Sequence, residues 1–371
     1  MNNIFWAAIN LAPGIGSKTL RQLYGYFHDG ERVWSATVEE LKRSNCLKEK
    51  ALSELIEIRQ KISIEKLKCE FIEKGINICV EIDEIYPKLL KQIYDPPFIL
   101  YYKGTLPTND KCIAIVGSRR ATVYGKQIAH DMAKQLSGKG FIVVSGAAKG
   151  IDTSAHEGAL MKGKTIAVLG CGLDVIYPAE NKSLLEKIAE NGAVISEFPL
   201  GTAPLAGNFP ARNRIITGLS KGVLVVEAAR KSGSLITAEF ALDEGRDVFA
   251  IPGNIYSKNS EGCHYLIRQG AKLVCSADDI TEEYMSENKD TVLSEKLFEA
   301  EEKLKFLLTN EEKLIYDNLS FTEPTCIDEI IYKLRMNVSN ISFILLQMKL
   351  KGLVTETSPN FYIRAIRECF E

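Results

Sequence analysis

From residue 111 to 276 the chain repeats one rhythm of apolar and polar positions. Apolar runs without polar alternation, CIAIV, FIVVS, TIAVLG, AVISE, GVLVVEA and DVFAIPG, are separated by longer stretches with apolar residues at helical spacing. Unbroken Val/Ile/Ala runs suit strands buried on both faces, and the intervening helices supply the crossovers of a parallel sheet. The pattern predicts an α/β fold with a Rossmann-like, doubly wound, mainly parallel sheet.

The flanks follow other rhythms. Residues 1–82 are expected to form a helical module, with helical spacing in ALSELIEIRQKI. Within it, Pro13-Gly14-Ile15-Gly16 separates two apolar-faced helices. That segment reads either as a plain helix–helix turn or as a helix-hairpin-helix (SAM-like) element whose backbone N–H groups meet a DNA phosphate, with only Lys18 and Arg21 as nearby cations. Pro87, Pro96 and Pro97 punctuate short elements leading into the main domain, assigned to residues 83–285. A charge-rich linker is expected over 286–310. Residues 311–371 read as three short helices and a closing hairpin, a winged-helix-like pattern, with Thr325 and Asp328 resembling a capping box. The third of these helices is mostly apolar, with Lys349 and Lys351 only at its end, whereas a base-reading helix normally exposes Arg, Asn or Gln. The tail is therefore read as structural or protein-binding.

Composition narrows the function classes. Over 371 residues the net charge is −2, so no strongly basic overall field draws in nucleic acid, and any such binding must come from a local patch. The 9 cysteines are scattered singly without a C-x-x-C pair or a Cys/His cluster, which points to a reducing cytoplasm and to neither a disulfide framework nor a zinc site. The apolar run Ile4–Leu11 lacks a basic flank and is too short for a bilayer, so it reads as a core helix, and no membrane association is expected.

In an open parallel sheet the binding crevice lies at the carboxyl ends of the strands, so the loops that follow the strands carry the chemistry. The first is VGSRRATVYG. A dinucleotide fingerprint needs glycines where Arg119 and Thr122 stand, and Gly125-Lys126-Gln127 comes too late for a Walker A loop and lacks its hydroxyl. What remains is Gly117, allowing close backbone approach, with Ser118 and Arg119 reaching outward. The guanidinium fork of Arg119 matches phosphate oxygens, although Arg119 and Arg120 also read as solvated or salt-bridged surface residues.

The other loops extend this reading. After the second strand, Ser145-Gly146 stand where an NAD site usually places an acid for the ribose, and Gly146 and Gly150 bracket Lys149. Asp152 or Thr153 is expected to cap the next helix, whose N-terminus and the Lys149 ammonium suit an anion. After the fourth strand come Asn208, Phe209, Arg212, Asn213 and Arg214. Phe209 reads as a base-stacking platform or as core, and Arg212 and Arg214 project to different sides of a helix, so at most one reaches a shared ligand. After the fifth, Ser232-Gly233-Ser234 opens a helix and forms a phosphate cradle. Several anion-competent turns at one sheet edge imply a ligand with more than one phosphate. Glu239 and His156 are the only acid/base candidates nearby, and each also reads as structural. No cofactor, metal or catalytic constellation is expected.

YPKLLKQIYDPPFILYYKG, VGSRRATVYG, VSGAAKGIDTSAHEGAL, FPARNRIITGLS, SGSLITAEFALDEGRDVFAIPG and EGCHYLIRQGA, taken in order from about residue 84 to 280, resemble the DNA processing protein A (DprA/Smf) family of bacteria. The resemblance implies a cytoplasmic, homodimeric, non-enzymatic protein that binds single-stranded DNA, protects incoming strands during natural transformation and loads the RecA recombinase. It also implies that Arg119 and Lys149 lie in the DNA-binding pocket. Two other readings compete. SGSLITAE retains a Gly, Thr237 and Glu239 in an order similar to nucleoside-monophosphate phosphoribohydrolases of the lysine-decarboxylase-like group, but lacks their double glycine. A nucleotide-sensing transcriptional regulator would instead use the winged helix on duplex DNA.

Overall fold

The computed structural model describes residues 3–107, 111–284, 308–320 and 324–364. The chain divides into two compact units, Met1–Glu282 and Glu283–Glu371. In the first, α1 (Asn3–Asn10), α2 (Ser17–Phe27), α3 (Gly30–Ser35), α4 (Val38–Arg43), α5 (Glu49–Lys61) and α6 (Ile64–Glu73) precede the sheet. Then follow β1 (Asn77–Val80), α7 (Lys88–Lys91), β2 (Ile99–Gly104), β3 (Cys112–Val116), α8 (Val123–Gly138), β4 (Ile142–Ser145), α9 (Ile151–Leu160) and β5 (Thr165–Val168). The unit continues through α10 (Lys182–Glu190), β6 (Gly192–Ser196), α11 (Asn208–Gly218), β7 (Gly222–Val225), α12 (Gly233–Asp243), β8 (Asp247–Ala250), α13 (Glu261–Arg268) and β9 (Lys272–Leu273).

Each of the six apolar runs forms a strand, and every residue of β3, β5, β6 and β7 is buried, as expected for strands covered on both faces. The strands lie in the order β1-β2-β6-β5-β4-β3-β7-β8-β9. All pairings from β6 through β9 are parallel, while β1 and β2 extend one edge antiparallel. From β3 the chain winds outward through β4, β5 and β6, then returns to place β7 on the other side of β3. The carboxyl ends of β3 and β7 therefore flank the topological switch point, where loops leave in opposite directions and open a crevice.

Side chains alternate across the sheet. Cys112, Ala114 and Val116 of β3 and Val223 and Val225 of β7 face a core shared with Ile215 and Ile216 of α11 and Ala238 and Ala241 of α12. A second core joins α1–α6 to the sheet: Trp6, Ile9, Leu20, Leu23 and Leu55 pack with Phe98, Tyr101, Leu169 and Val194. Two hydrogen bonds tie the α1–α2 hairpin region to this face. Ser17 Oγ accepts from the Phe98 N–H at 3.1 Å, and Tyr101 donates its hydroxyl to Asn10 Oδ1 at 2.9 Å. Arg21 is engaged by Glu81 at 2.8 Å and by the Pro96 carbonyl, so this cation of the hairpin is tied to the neighbouring segment.

In the second unit, helices Asn310–Asp317, Ile327–Leu334 and Val338–Leu350 surround a core of Ile315, Ile330, Ile341, Leu345 and Met348. A three-stranded sheet closes it, with Phe361–Arg364 between Thr325–Cys326 and Val354–Ser358, a winged-helix arrangement. The expected capping box at Thr325 and Asp328 does not form. The N-cap is Cys326, without a side-chain cap, because Thr325 is drawn into strand pairing with Tyr362. Capping boxes occur instead at Thr37 with Glu40 and at Thr309 with Glu312. Among the described residues no helix is long and apolar enough to cross a membrane.

Candidate functional site

A cleft of about 460 Å³ opens at the switch point. The β3 loop supplies Gly117, Ser118, Arg119 and Arg120, the β4 loop Ala148 and the first turn of α9 Asp152, and α11 Phe209, Arg212 and Asn213. The β7 loop and the start of α12 complete it with Ser232, Gly233, Ser234 and Thr237. Four loops read separately as anion-competent thus converge on one depression.

The β3 and β4 loops are interlocked. The Ile151 N–H at the start of α9 donates to the Ser118 carbonyl at 3.3 Å, and Gly150 has φ +84°. A Cβ at Gly150 would lie 2.4 Å from the Ser118 oxygen, so only glycine permits this approach. On the other side the Ser118 N–H donates to the Glu227 carbonyl at 2.7 Å. The buried Glu227 carboxylate accepts from the Thr122 N–H at 2.9 Å and from its hydroxyl at 2.5 Å, while Thr122 caps α8. The stretch carrying Arg119 is therefore pinned at both ends.

The cleft has a floor and a rim of different electrostatic character. On the floor, Arg212 is 4% exposed and donates to the carbonyls of Gly146 and Val168. Burial brings its guanidinium down to about 10, opposed by neighbouring Asp152. Asp152 accepts from the Gly146 and Ala148 amides at 3.2 and 3.3 Å. Burial raises its carboxyl, opposed first by Arg212. Each is hydrogen-bonded to backbone groups rather than to the other, and their opposite charges partly offset the cost of burying both. At the rim, Arg119 and Arg120 are exposed and form no ion pair among the described residues. The Arg119 guanidinium lies 5.0 Å from the Phe209 ring centroid, within cation–π range, and Phe209 meets Tyr177 with centroids 5.6 Å apart.

The other expected residues divide between lining and scaffold. Ser232 caps α12, accepting from the Ser234 N–H, and the two hydroxyls are 2.7 Å apart. Asn213 lines the cleft. Ser145 does not reach it: its hydroxyl is buried and donates to the Ile115 carbonyl. Gly146 serves to admit Arg212, whose guanidinium a Cβ would meet at 2.5 Å. Lys149 stands beside Ala148 but outside the lining, exposed, with Nζ 2.5 Å from Glu180 Oε1. Arg214 pairs with Glu197 at 2.6 Å and Asp95 at 3.5 Å. Asp152 and Thr153 do not cap α9, since Asp152 turns back to the loop amides and Thr153 donates to the Ala148 carbonyl. His156 is fully buried against Thr165, and Glu239 lines a neighbouring depression.

Two residues of the site were not anticipated. Glu227 ends the apolar run GVLVVE, and an acid at the end of a buried strand with no adjacent cation was the available signal. Asn259, which lines the cleft and donates to the Arg120 carbonyl at 3.2 Å, carries no such mark. Among the described residues no group of three or more His, Cys, Asp or Glu side chains could hold a metal ion.

Comparison with known proteins bears on the fold and the family. The chain is 34% identical to protein Smf of Synechocystis over 97% of its own length and 98% of that protein. The crystal structure of DNA processing protein A from Streptococcus pneumoniae superposes with a TM-score of 0.65 at 40% identity, covering 76% of this chain and 97% of that one. A structure of the Helicobacter pylori protein, concerned with its single-stranded DNA binding mode, superposes with a TM-score of 0.52 at 33% identity over 57% of this chain and 96% of that one. The sequence profile of DNA recombination-mediator protein A matches residues 77–285, the span holding the whole sheet and its cleft. The chain belongs to the DNA recombination-mediator protein A family, the DprA/Smf proteins.

Proposed function

We propose that this protein binds single-stranded DNA through the switch-point cleft, protects incoming strands in natural transformation and loads the RecA recombinase onto them, acting as a cytoplasmic homodimer. One observation carries the reading. Arg119 is held out at the rim on the Phe209 ring without an ion pair, while Arg212 and Asp152 beneath it are taken up by backbone hydrogen bonds. A free guanidinium beside an aromatic pair suits a phosphate with a base stacked nearby. Ser232, Gly233 and Ser234 at the start of α12 offer amides and hydroxyls to the next phosphate. Lys149 adds a cation at the edge, reached by exchanging its Glu180 partner for a phosphate. A dimer would present two such grips to one strand, raising avidity by effective concentration. The role is binding rather than bond breaking, because Glu239 lies outside this cleft and His156 is sealed beneath the surface. The single-strand binding described for the Helicobacter pylori relative supports the same conclusion.

The test compares single- and double-stranded oligonucleotide affinity at several salt concentrations. Log affinity for single strands should fall linearly with log salt, by about 0.7 per phosphate engaged. Arg119→Ala should weaken binding across sequences and flatten that slope. Lys149→Ala should do the same while shifting stability by no more than about 0.5 kcal/mol, since an exposed ion pair contributes little. Folded variants that bind as the parent does would refute the assignment.

A further inference from the structure

We infer that the cleft continues past the start of α12 into a second nucleotide subsite, where Arg230 and Lys231 take a backbone phosphate and Tyr265 a base. This rests on the reading of the main cleft given above. A separate depression of about 440 Å³ adjoins the first, and Ser232, Gly233 and Ile236 line both, so the two meet around the helix start. Its other walls carry Arg230, Lys231, Glu239 and Tyr265. Both cations are exposed and form no ion pair among the described residues. Open space surrounds the Gly233 α-carbon, so backbone can be approached there without a side chain intervening. Tyr265 is 41% exposed, an aromatic face of the kind that accepts any base by stacking. Glu239 orients the nucleotide: its carboxylate repels a phosphate and accepts from a base N–H, and it lies about 9 Å further along the helix axis from Gly233. The phosphate thus belongs at the Arg230–Lys231 end and the base at the Glu239–Tyr265 end. A strand leaving Arg119 then follows the α12 N-terminus rather than passing into solvent.

The experiment uses thymidine oligonucleotides of graded length with the full chain, the Arg230→Ala/Lys231→Ala double variant, Tyr265→Leu and Arg119→Ala, each checked for an unchanged thermal midpoint. The parent should gain affinity as the oligonucleotide grows beyond the main cleft. The double variant and Tyr265→Leu should each lose that gain, weakening long oligonucleotides by at least about fivefold while binding the shortest ones as before. The double variant should also lower the salt slope by about 0.7 for the phosphate released. If these variants bind long oligonucleotides as the parent does while Arg119→Ala weakens them, the second subsite is refuted and the main cleft stands. If Arg119→Ala is also without effect, both assignments fall.

Discussion

His156 gives the fold a defined acid sensitivity. Its Nδ1 lies 2.7 Å from Thr165 Oγ1, and that hydroxyl donates to the Val143 carbonyl at 2.7 Å, so the imidazole must be the donor and carries its proton on Nδ1. Nε2 is buried with no hydrogen-bond partner. Protonating Nε2 would create a charged donor without an acceptor. Burial, and then the Arg212 charge, accordingly lower this histidine from 6.5 to about 3. The unfolded chain takes up a proton near the ordinary value and the folded chain does not, so stability is full above that value and falls as pH drops. From about pH 7.5 to about pH 5.5 the loss from this group is about 1.4 kcal/mol, and below that it approaches about 1.4 kcal/mol per pH unit. The perturbation is His156→Asn, whose side-chain amide can still donate towards Thr165. The assay is urea unfolding of parent and variant across this range, followed by circular dichroism. The variant should be less stable at neutral pH yet lose less on acidification, by the amount above. Parallel stability curves for the two proteins would refute the assignment of a buried neutral imidazole.

Two further substitutions probe the cleft. Gly150→Ala forces an alanine to φ +84° and a Cβ to 2.4 Å from the Ser118 oxygen. It should cost about 1–3 kcal/mol in thermal unfolding and weaken oligonucleotide binding by moving the Arg119 stretch, and an unchanged melting curve would contradict the interlocked loops. Arg212→Met leaves the buried Gly146 and Val168 carbonyls without their donor, removes a charge that opposes the burial cost of Asp152, and should destabilise by about 1–3 kcal/mol in denaturant unfolding. Adding Asp152→Asn should restore part of that loss, and strict additivity of the two effects would show that the residues do not compensate each other.

The strands of the parallel core were legible because burial on both faces leaves an unmistakable mark, an apolar run without alternation such as CIAIV. β1, β2 and β9 lacked that mark. β2 ends in half-buried and exposed residues and β9 has only two, so pairing at the sheet edges rather than composition makes them strands. The convergence of four loops was likewise legible from strand order. What sequence cannot supply is the direction of a long side chain. Arg119 and Arg212 look alike as cations between a strand end and a helix, yet one reaches solvent and the other is buried between carbonyls. Lys149 lies in the loop after β4, and its pairing with Glu180 depends on a residue 31 positions away. The Thr325 cap failed for a related reason, since strand pairing claimed the residue first.

The contrast between floor charges taken up by backbone groups and rim arginines left unpaired has a consequence for what the cleft retains. A small anion that settles deep meets Asp152 and Arg212 already engaged by backbone groups and gains little attraction from going further in. A chain laid across the opening instead meets a fresh cation or amide with each unit it adds. On the proposed reading, retention would grow with the length of the guest rather than with how far it penetrates, which would favour a polymer over the free nucleotides that Rossmann-like crevices more often hold.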